Sequence, residues 1–162
     1  MDGAVEVVKA ELSDARLLTS IQAEAFDHEA DLFRMETDKG PAGYDSVDWT
    51  RAAIETGNML KIIKGTEVIG GILITLLKEG KARLNRIFVD PGQQGKGAGS
   101  RAIQILRKMY PEIKTWELDT PSWAVRNQRF YERNGFVREG HTLEPSTGFI
   151  LYIYRMHPKE AQ

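Results

Sequence analysis

The sequence predicts a mixed α/β fold in a single domain covering residues 1–162. Three observations carry that expectation. The chain is long enough to bury a core without covalent staples, and no repeat, low-complexity tract or linker divides it. Strand-like and helix-like apolar patterns are intermixed, in the order β-α-α-β-β-β-α-β-α-β-β. A glycine-rich turn, Gln94-Gly95-Lys96-Gly97-Ala98-Gly99, lies between an apolar run ending at Val89 and a helix-periodic run from Ala98 to Tyr110.

The elements follow from the local chemistry. Val5 to Lys9 is a short first strand. Ser13 or Asp14 caps a helix with apolar positions at Leu18, Ile21 and Ala25, running to about Phe26. The polar stretch from Asp27 to Tyr44, with Lys39-Gly40-Pro41-Ala42-Gly43 near its end, is a loop by composition. Asp45 or Ser46 starts a second helix, which Gly57-Asn58 closes. Met59 to Lys64 and Val68 to Leu77 form a hairpin across Gly65-Thr66-Glu67, and Ala82 to Val89 is the next strand.

Asp90-Pro91-Gly92 ends that strand before the glycine turn. The helix from Ala98 carries a stripe of Ala98, Ala102, Ile105 or Leu106, and Met109, and Pro111 stops it. Thr115 to Asp119 is a brief strand with Trp116 and Leu118 facing one way. Ser122 caps a helix from Trp123 or Ala124 to Asn134, with Gly135 as its left-handed terminator. Phe136 to Leu143 and Phe149 to Met156 close the chain as a strand pair.

Composition removes several function classes. Lys plus Arg (22) nearly balances Asp plus Glu (23), which gives no basis for a nucleic-acid or anionic-membrane partner. With no cysteine there is no disulfide, cysteine nucleophile or thiolate metal site. His28, His141 and His157 are scattered without ligand spacing, so no metal is expected. Asp2 and Glu6 break any signal-peptide pattern, and Val68 to Leu77 is too short to span a bilayer; a cytoplasmic protein is expected.

The glycine turn opens a helix, where unpaired N–H groups and the helix dipole favour an anion such as phosphate. It is not a dinucleotide fingerprint: after Gly95 and Gly97 the third glycine position is Ser100, and after Gly97 and Gly99 it is Ala102. Nor is it a triphosphate P-loop, since Lys96 is followed by Gly97 rather than Ser or Thr.

The turn does match [RQ]-x-x-G-x-[GA] through Gln94, Gly97 and Gly99. With Leu84-Asn85-Arg86-Ile87-Phe88-Val89 upstream, and Asn127-Gln128-Arg129-Phe130-Tyr131-Glu132-Arg133-Asn134-Gly135-Phe136 downstream, the chain resembles the GNAT superfamily of acetyl-CoA-dependent N-acetyltransferases over nearly its whole length. The resemblance implies a central twisted, mostly antiparallel sheet, splayed after the fourth strand and flanked by four helices. It departs at Ala124, where many members carry Asn, and Asn127 is the candidate replacement on the face of Tyr131.

The resemblance further implies acetyl-CoA as cosubstrate. Its pyrophosphate would rest on Gly95, Gly97 and Gly99 with Gln94, Lys96, Ala98 and Ser100 in the same turn. Its pantetheine arm would pair with Ile87, Phe88 and Val89, where a β-bulge leaves N–H groups free and one near Phe88 or Val89 polarises the thioester. Tyr131 matches the general acid that protonates the departing thiolate.

The implied reaction is direct attack of a primary amine in a ternary complex; the alternative is an acyl-CoA-binding sensor or interaction module without turnover. An alkyl amine of pKa roughly 10.4 is neutral in only about one molecule in 2,500 at pH 7, so a base is needed. Glu24, Asn85 through a water, Glu117 and Asp119 are the candidates. The acceptor is a small-molecule or peptide amine, and the acidic Asp27 to Asp38 segment suits a cationic one. The protein is expected to be a monomer or a homodimer.

Overall fold

The computed structural model describes residues 4–158, so Asp2 and the ends of the predicted 1–162 domain lie outside the described residues. Its elements are β1 (Val5–Lys9), α1 (Ala15–Leu32), α2 (Val47–Glu55), β2 (Met59–Lys64), β3 (Glu67–Leu76), β4 (Lys81–Val89), α3 (Ala98–Met109), β5 (Thr115–Pro121), α4 (Val125–Arg133), β6 (Val137–Leu143) and β7 (Ile150–Met156). The predicted order is reproduced element by element. Seven strands form one sheet in the order β1-β2-β3-β4-β5-β7-β6. Every neighbouring pair is antiparallel except β4 and β5.

That parallel pair is where the sheet opens. β4 and β5 are in register only at Lys81↔Thr115, Ala82↔Trp116 and Arg83↔Glu117, after which they diverge. On its other edge β4 stays paired to β3, with a register shift: Leu73 faces Arg86 and Ile74 faces Leu84, leaving Asn85 as the extra residue of a bulge.

The bulge changes which layer each side chain enters. Before it, Ala82 and Leu84 pack in the cluster built with Ala98, Ala102, Ile103 and Leu106 of α3. After it, Phe88 packs in the cluster built with Leu18, Ile21 and Ala25 of α1 and Ala53 and Ile54 of α2, while Ile87 and Val89 take the α3 side. Two glycines of β3 make room for Phe88. A Cβ on Gly70 would meet the Phe88 carbonyl oxygen at 2.2 Å, and one on Gly71 would meet the ring at 2.5 Å.

Several local expectations are corrected. Helix α1 continues six residues beyond Phe26, because Asp27 to Leu32 contains no Gly or Pro and Glu29 and Ala30 fall on its buried stripe. Neither Ser13 nor Asp14 caps it with a side chain; the Asp14 carboxylate accepts from the Glu11 N–H at 2.8 Å and pairs with Lys61 at 2.9 Å. Ser122 does not cap α4, which begins after Ala124; Gln128 instead donates to the Pro121 and Ser122 carbonyls. On α3, Ile103 is buried and Met109 exposed, a rotation of the stripe that follows from helix packing under β1 and β4.

The expected helix boundaries at Ser46, Gly57 and Gly135 hold. Ser46 caps α2 by accepting from the Trp49 N–H at 3.1 Å, and Gly57 and Gly135 terminate α2 and α4 with φ of 81° and 91°. Among the described residues no helix is long and apolar enough to cross a membrane.

Candidate active site

The opening between β4 and β5 is the floor of a cleft of about 1060 Å³. Its rim is the glycine turn and the N-terminus of α3 at one end, α4 on one side, and the end of α1 with the Asp38–Ala42 segment on the other. Trp123 and Phe149 of the outer wall meet edge to face with ring centres 6.1 Å apart, and Phe33 packs tilted against Trp123 at 6.0 Å.

The glycine turn leads into α3 without a side-chain cap. Asp90 accepts from the Gly92 N–H at 2.9 Å and starts a short 3-10 turn over Pro91–Gln93. Gln94 then folds back, its amide donating to the Val89 carbonyl at 2.9 Å, which pins the turn to the end of β4. Gly95 and Gly97 follow at φ of 77° and 82°, a left-handed conformation that side chains disfavour, and a Cβ at either would project into open space. Gly97 is the N-cap of α3 and supplies no side-chain cap, so the first N–H groups of the helix remain available. Gly99 instead permits close packing, since the Phe130 ring of α4 lies 3.1 Å from where its Cβ would be.

The backbone of β4 also points into the opening. Asp90 N–H donates to the Ile69 carbonyl at 2.7 Å, across a ladder in which Phe88 faces Gly71 and Val89 faces Gly70. Antiparallel bonding alternates, so Phe88 bonds β3 while Ile87 and Val89 turn their backbone groups toward the gap. Of Phe88 and Val89, it is Val89 whose N–H turns toward the gap.

Tyr131 lines the cleft from α4, boxed by Phe130, Phe136 and Tyr154 with ring centres 5.5–6.4 Å away. Burial, and secondarily the nearby Asp119, raise its phenol above the ordinary tyrosine range, so it keeps its proton. Asn127 lines the same wall one turn earlier, and Ala124 is buried at the helix start. Of the predicted turn residues, Gln94, Gly95, Gly97, Ala98, Gly99 and Ser100 line the cleft, as do Ile87, Phe88 and Val89; Lys96 is exposed and does not.

The four candidate bases separate. Glu24 is on the exposed side of α1, outside the cleft. Glu117 is also outside, between Arg83 at 3.7 Å and Arg155 at 3.5 Å. Asp119 lines the cleft with its carboxylate held by Arg83. Asn85 lines it from the bulge, its side-chain oxygen accepting from the Thr75 hydroxyl at 2.8 Å.

Three further cleft residues stand out: Arg126 and Arg86, which the sequence did not mark as site residues, and Glu29, which it marked only as one acid of the Asp27 to Asp38 segment. Glu29 is only 8% exposed; one of its oxygens lies 3.5 Å from Arg126 on α4 and the other has no partner. Desolvation raises its carboxyl, against the lowering effect of Arg126 and His28. Arg126 also reaches Gln94 at 3.5 Å, so it bridges α1 and the glycine turn across the cleft. Arg86, also 8% exposed, lines the cleft from the far side of the bulge, beneath α1 and α2. The signals were present: Glu29 continues the spacing of Leu18, Ile21 and Ala25, and Arg86 stands between Leu84 and Phe88 on the alternating positions of its strand. The acidic segment converges only in part, with Glu29 and Asp38 lining the cleft. Asp27 accepts from the Tyr44 hydroxyl at 2.7 Å, while Asp31, Glu36 and Asp38 are exposed.

A family model described as an acetyltransferase (GNAT) domain matches residues 55–138. Solved structures match over almost the full chain. PaiA N-acetyltransferase from Thermoplasma acidophilum, in complex with coenzyme A, aligns at a TM-score of 0.76 and 17% identity, over 95% of this chain and 99% of that one. An acetyltransferase of the GNAT family from Bacillus cereus aligns at 0.72 and 18%, over 98% and 100%. The ribosomal-protein-S18-alanine N-acetyltransferase from Escherichia coli aligns at 0.69 and 14%, over 98% and 97%. Likeness at these identities is likeness of fold. No curated protein sequence matches the chain.

Proposed function

The chain belongs to the GNAT acetyltransferase family, whose members use acetyl-CoA as cosubstrate, and from that membership we propose that it transfers the acetyl group to a primary amine by direct attack in a ternary complex. The observation that carries the proposal is the uncapped N-terminus of α3, reached through two left-handed glycines, at the mouth of the gap between β4 and β5. Phosphate charge suits those N–H groups, and a cleft of about 1060 Å³ accommodates an extended acyl carrier.

Acetyl-CoA supplies an activated thioester. The residues of this chain do the rest. Gly95, Gly97, Ala98, Gly99 and Ser100 offer backbone N–H groups to the pyrophosphate, with Gln94 holding their turn. Ile87 and Val89 offer strand-like backbone partners to the pantetheine amides, and the Val89 N–H is the donor assigned to the thioester oxygen; one such donor is worth about 10²-fold in rate or more. Asn127 is assigned an amide contact to the same arm. Tyr131, protonated throughout the neutral range, donates to the leaving sulfur.

Glu29 is assigned the role of accepting the amine proton, directly or through a water. It is the buried carboxylate of the cleft with a free oxygen, and a raised pKa makes it a stronger base than an exposed carboxylate. Asp119 is less suited because Arg83 holds its carboxylate more closely than Arg126 holds Glu29, and it is the more exposed of the two.

The test is thiol release from acetyl-CoA across a panel of amines. Amine-dependent release supports the proposal. Cofactor binding with no release on any amine favours the sensor or interaction module, and absence of cofactor binding removes both readings.

A further inference from the structure

Acetyl transfer as assigned above uses no cation on the α1 and α2 side of the cleft, yet Arg86 is buried there. Its guanidinium donates to the Gln22 side-chain oxygen at 2.9 Å and to the Ala42 carbonyl at 3.0 Å, and lies 4.2 Å over the Trp49 ring. All three partners are uncharged. Among the described residues no carboxylate pairs with it, whereas Arg51, Arg83, Arg126 and Arg155 each have an acidic partner. A buried charge without a counter-ion is strongly disfavoured, and Arg, unlike Lys, does not escape by deprotonating.

The local sequence had simple ways to neutralise this charge. The residue facing Arg86 from α1 is Gln22 rather than Glu; Asp27 bonds Tyr44, one oxygen of Glu29 pairs with Arg126, and the exposed Asp38 on the cleft rim forms no ion pair with Arg86. Two donors are also left over. The Arg86 Nε and the Gln22 amide nitrogen are both buried and without a partner; Arg86 lines the cleft, and Gln22 lies directly behind it, outside the lining. A guanidinium edge beside an amide N–H₂ is a receptor for a planar oxyanion, which accepts several N–H bonds at once.

Position fits the reaction. Arg86 precedes Ile87, whose backbone faces the gap, so a ligand held by Arg86 on the α1 and α2 side has its other end directed toward β4 and the opening. We propose that Arg86, assisted by Gln22, binds a carboxylate carried by the acceptor, and that the substrate class is therefore an amine bearing a free carboxylate, as in an amino acid. This assignment rests on the acetyl-transfer reading and adds a carboxylate to the amine acceptor expected from the acidic segment, of which Glu29 and Asp38 line the cleft.

The experiment compares matched amines that differ only by the carboxylate: glycine with methylamine, L-leucine with isoamylamine, L-phenylalanine with phenethylamine, and L-lysine with cadaverine. The wild-type enzyme is expected to favour the carboxylate-bearing member of at least one pair by roughly 10- to 100-fold in kcat/KM, the size of a charge-assisted, multiply bonded contact. In Arg86→Gln that preference falls toward unity, chiefly through KM, and Arg86→Lys retains part of it. A wild-type preference for the decarboxylated members overturns the proposal. So does a loss in Arg86→Gln that is equal for both members, since that is the signature of a purely structural arginine.

A binding measurement separates this proposal from the reading beneath it. If acetyl-CoA binds but no amine releases thiol, calorimetry with coenzyme A present compares N-acetyl-L-leucine with N-acetylisoamylamine, and likewise for the other pairs. Tighter binding of an acid, lost in Arg86→Gln, upholds the carboxylate site while the transferase reading fails. Equal affinity within every pair, or no binding of any member at millimolar concentration, overturns the carboxylate site.

Discussion

Leu84 and Arg86 are two residues apart on one strand, yet Leu84 packs against α3 and Arg86 against α1 and α2. Strict alternation would send both to the same face. The extra residue, Asn85, reverses the parity, and every side chain after it changes layer. The same bulge lies where β4 leaves β5, so one irregularity re-aims a buried cation and borders the opening in which Ile87 and Val89 present their backbone groups.

Gly70→Ala is expected to destabilise the protein more than Gly71→Ala. The added methyl at 70 meets a backbone carbonyl at 2.2 Å, whereas at 71 it meets a ring carbon at the end of a side chain. Overpacking of this kind costs about 1–3 kcal/mol, with Gly70→Ala at the upper end. Thermal or urea unfolding of the two variants checks the ranking.

Gly97→Ala puts a methyl group on a left-handed residue without steric opposition from the surroundings. The expected penalty is about 1 kcal/mol in stability, with a clear loss of coenzyme A affinity if the turn relaxes toward a right-handed geometry. Calorimetric titration with coenzyme A reads the second effect. Unchanged affinity would detach the turn from cofactor binding.

Tyr131→Phe is expected to lower kcat by roughly 10²-fold or more while coenzyme A still binds. Because its phenol is raised above the ordinary value, the rate should show no alkaline fall from Tyr131 below pH about 10. A variant with unchanged kcat removes the acid role.

Glu29→Gln is expected to reduce kcat/KM and to abolish the acid limb of its pH profile. In the native enzyme that limb reports loss of the base as Glu29 gains its proton, above the ordinary 4.5. Stability provides a second readout. A raised carboxyl keeps its proton in the folded state after the unfolded state has lost it, so its contribution is full below 4.5 and is lost as pH rises through the folded value. The Gln variant should therefore lose stability less steeply across that window.

Alkaline unfolding follows from the buried phenols. Tyr131 is raised, and Tyr44 and Tyr154 are each raised to about 12, by burial first and then by hydrogen bonds to Asp27 and Glu132. Unfolded tyrosines ionise near pH 10, so above that value the unfolded chain binds fewer protons and stability falls with rising pH. Denaturant midpoints measured from pH 8 to about 11.5 should stay level and then drop.

The sequence by itself determined the element order, the glycine turn at the start of α3, the terminators Gly57 and Gly135, and the helix that carries Asn127 and Tyr131. These features depend on neighbours within a few residues, where backbone sterics and hydrophobic spacing act directly. Tertiary structure decided what is charged, buried and partnered. Glu29 lies inside because α1 runs past Phe26, and its partner Arg126 comes from the far end of the chain. Arg86 meets Gln22 across 64 residues and Ala42 across 44, and only the bulge at Asn85 turns it toward them. Desolvation and charge compensation are sums over groups that the fold assembles from distant segments, so the carboxylates and the cation of this cleft acquire their chemistry only once the sheet has opened and the helices have packed on it.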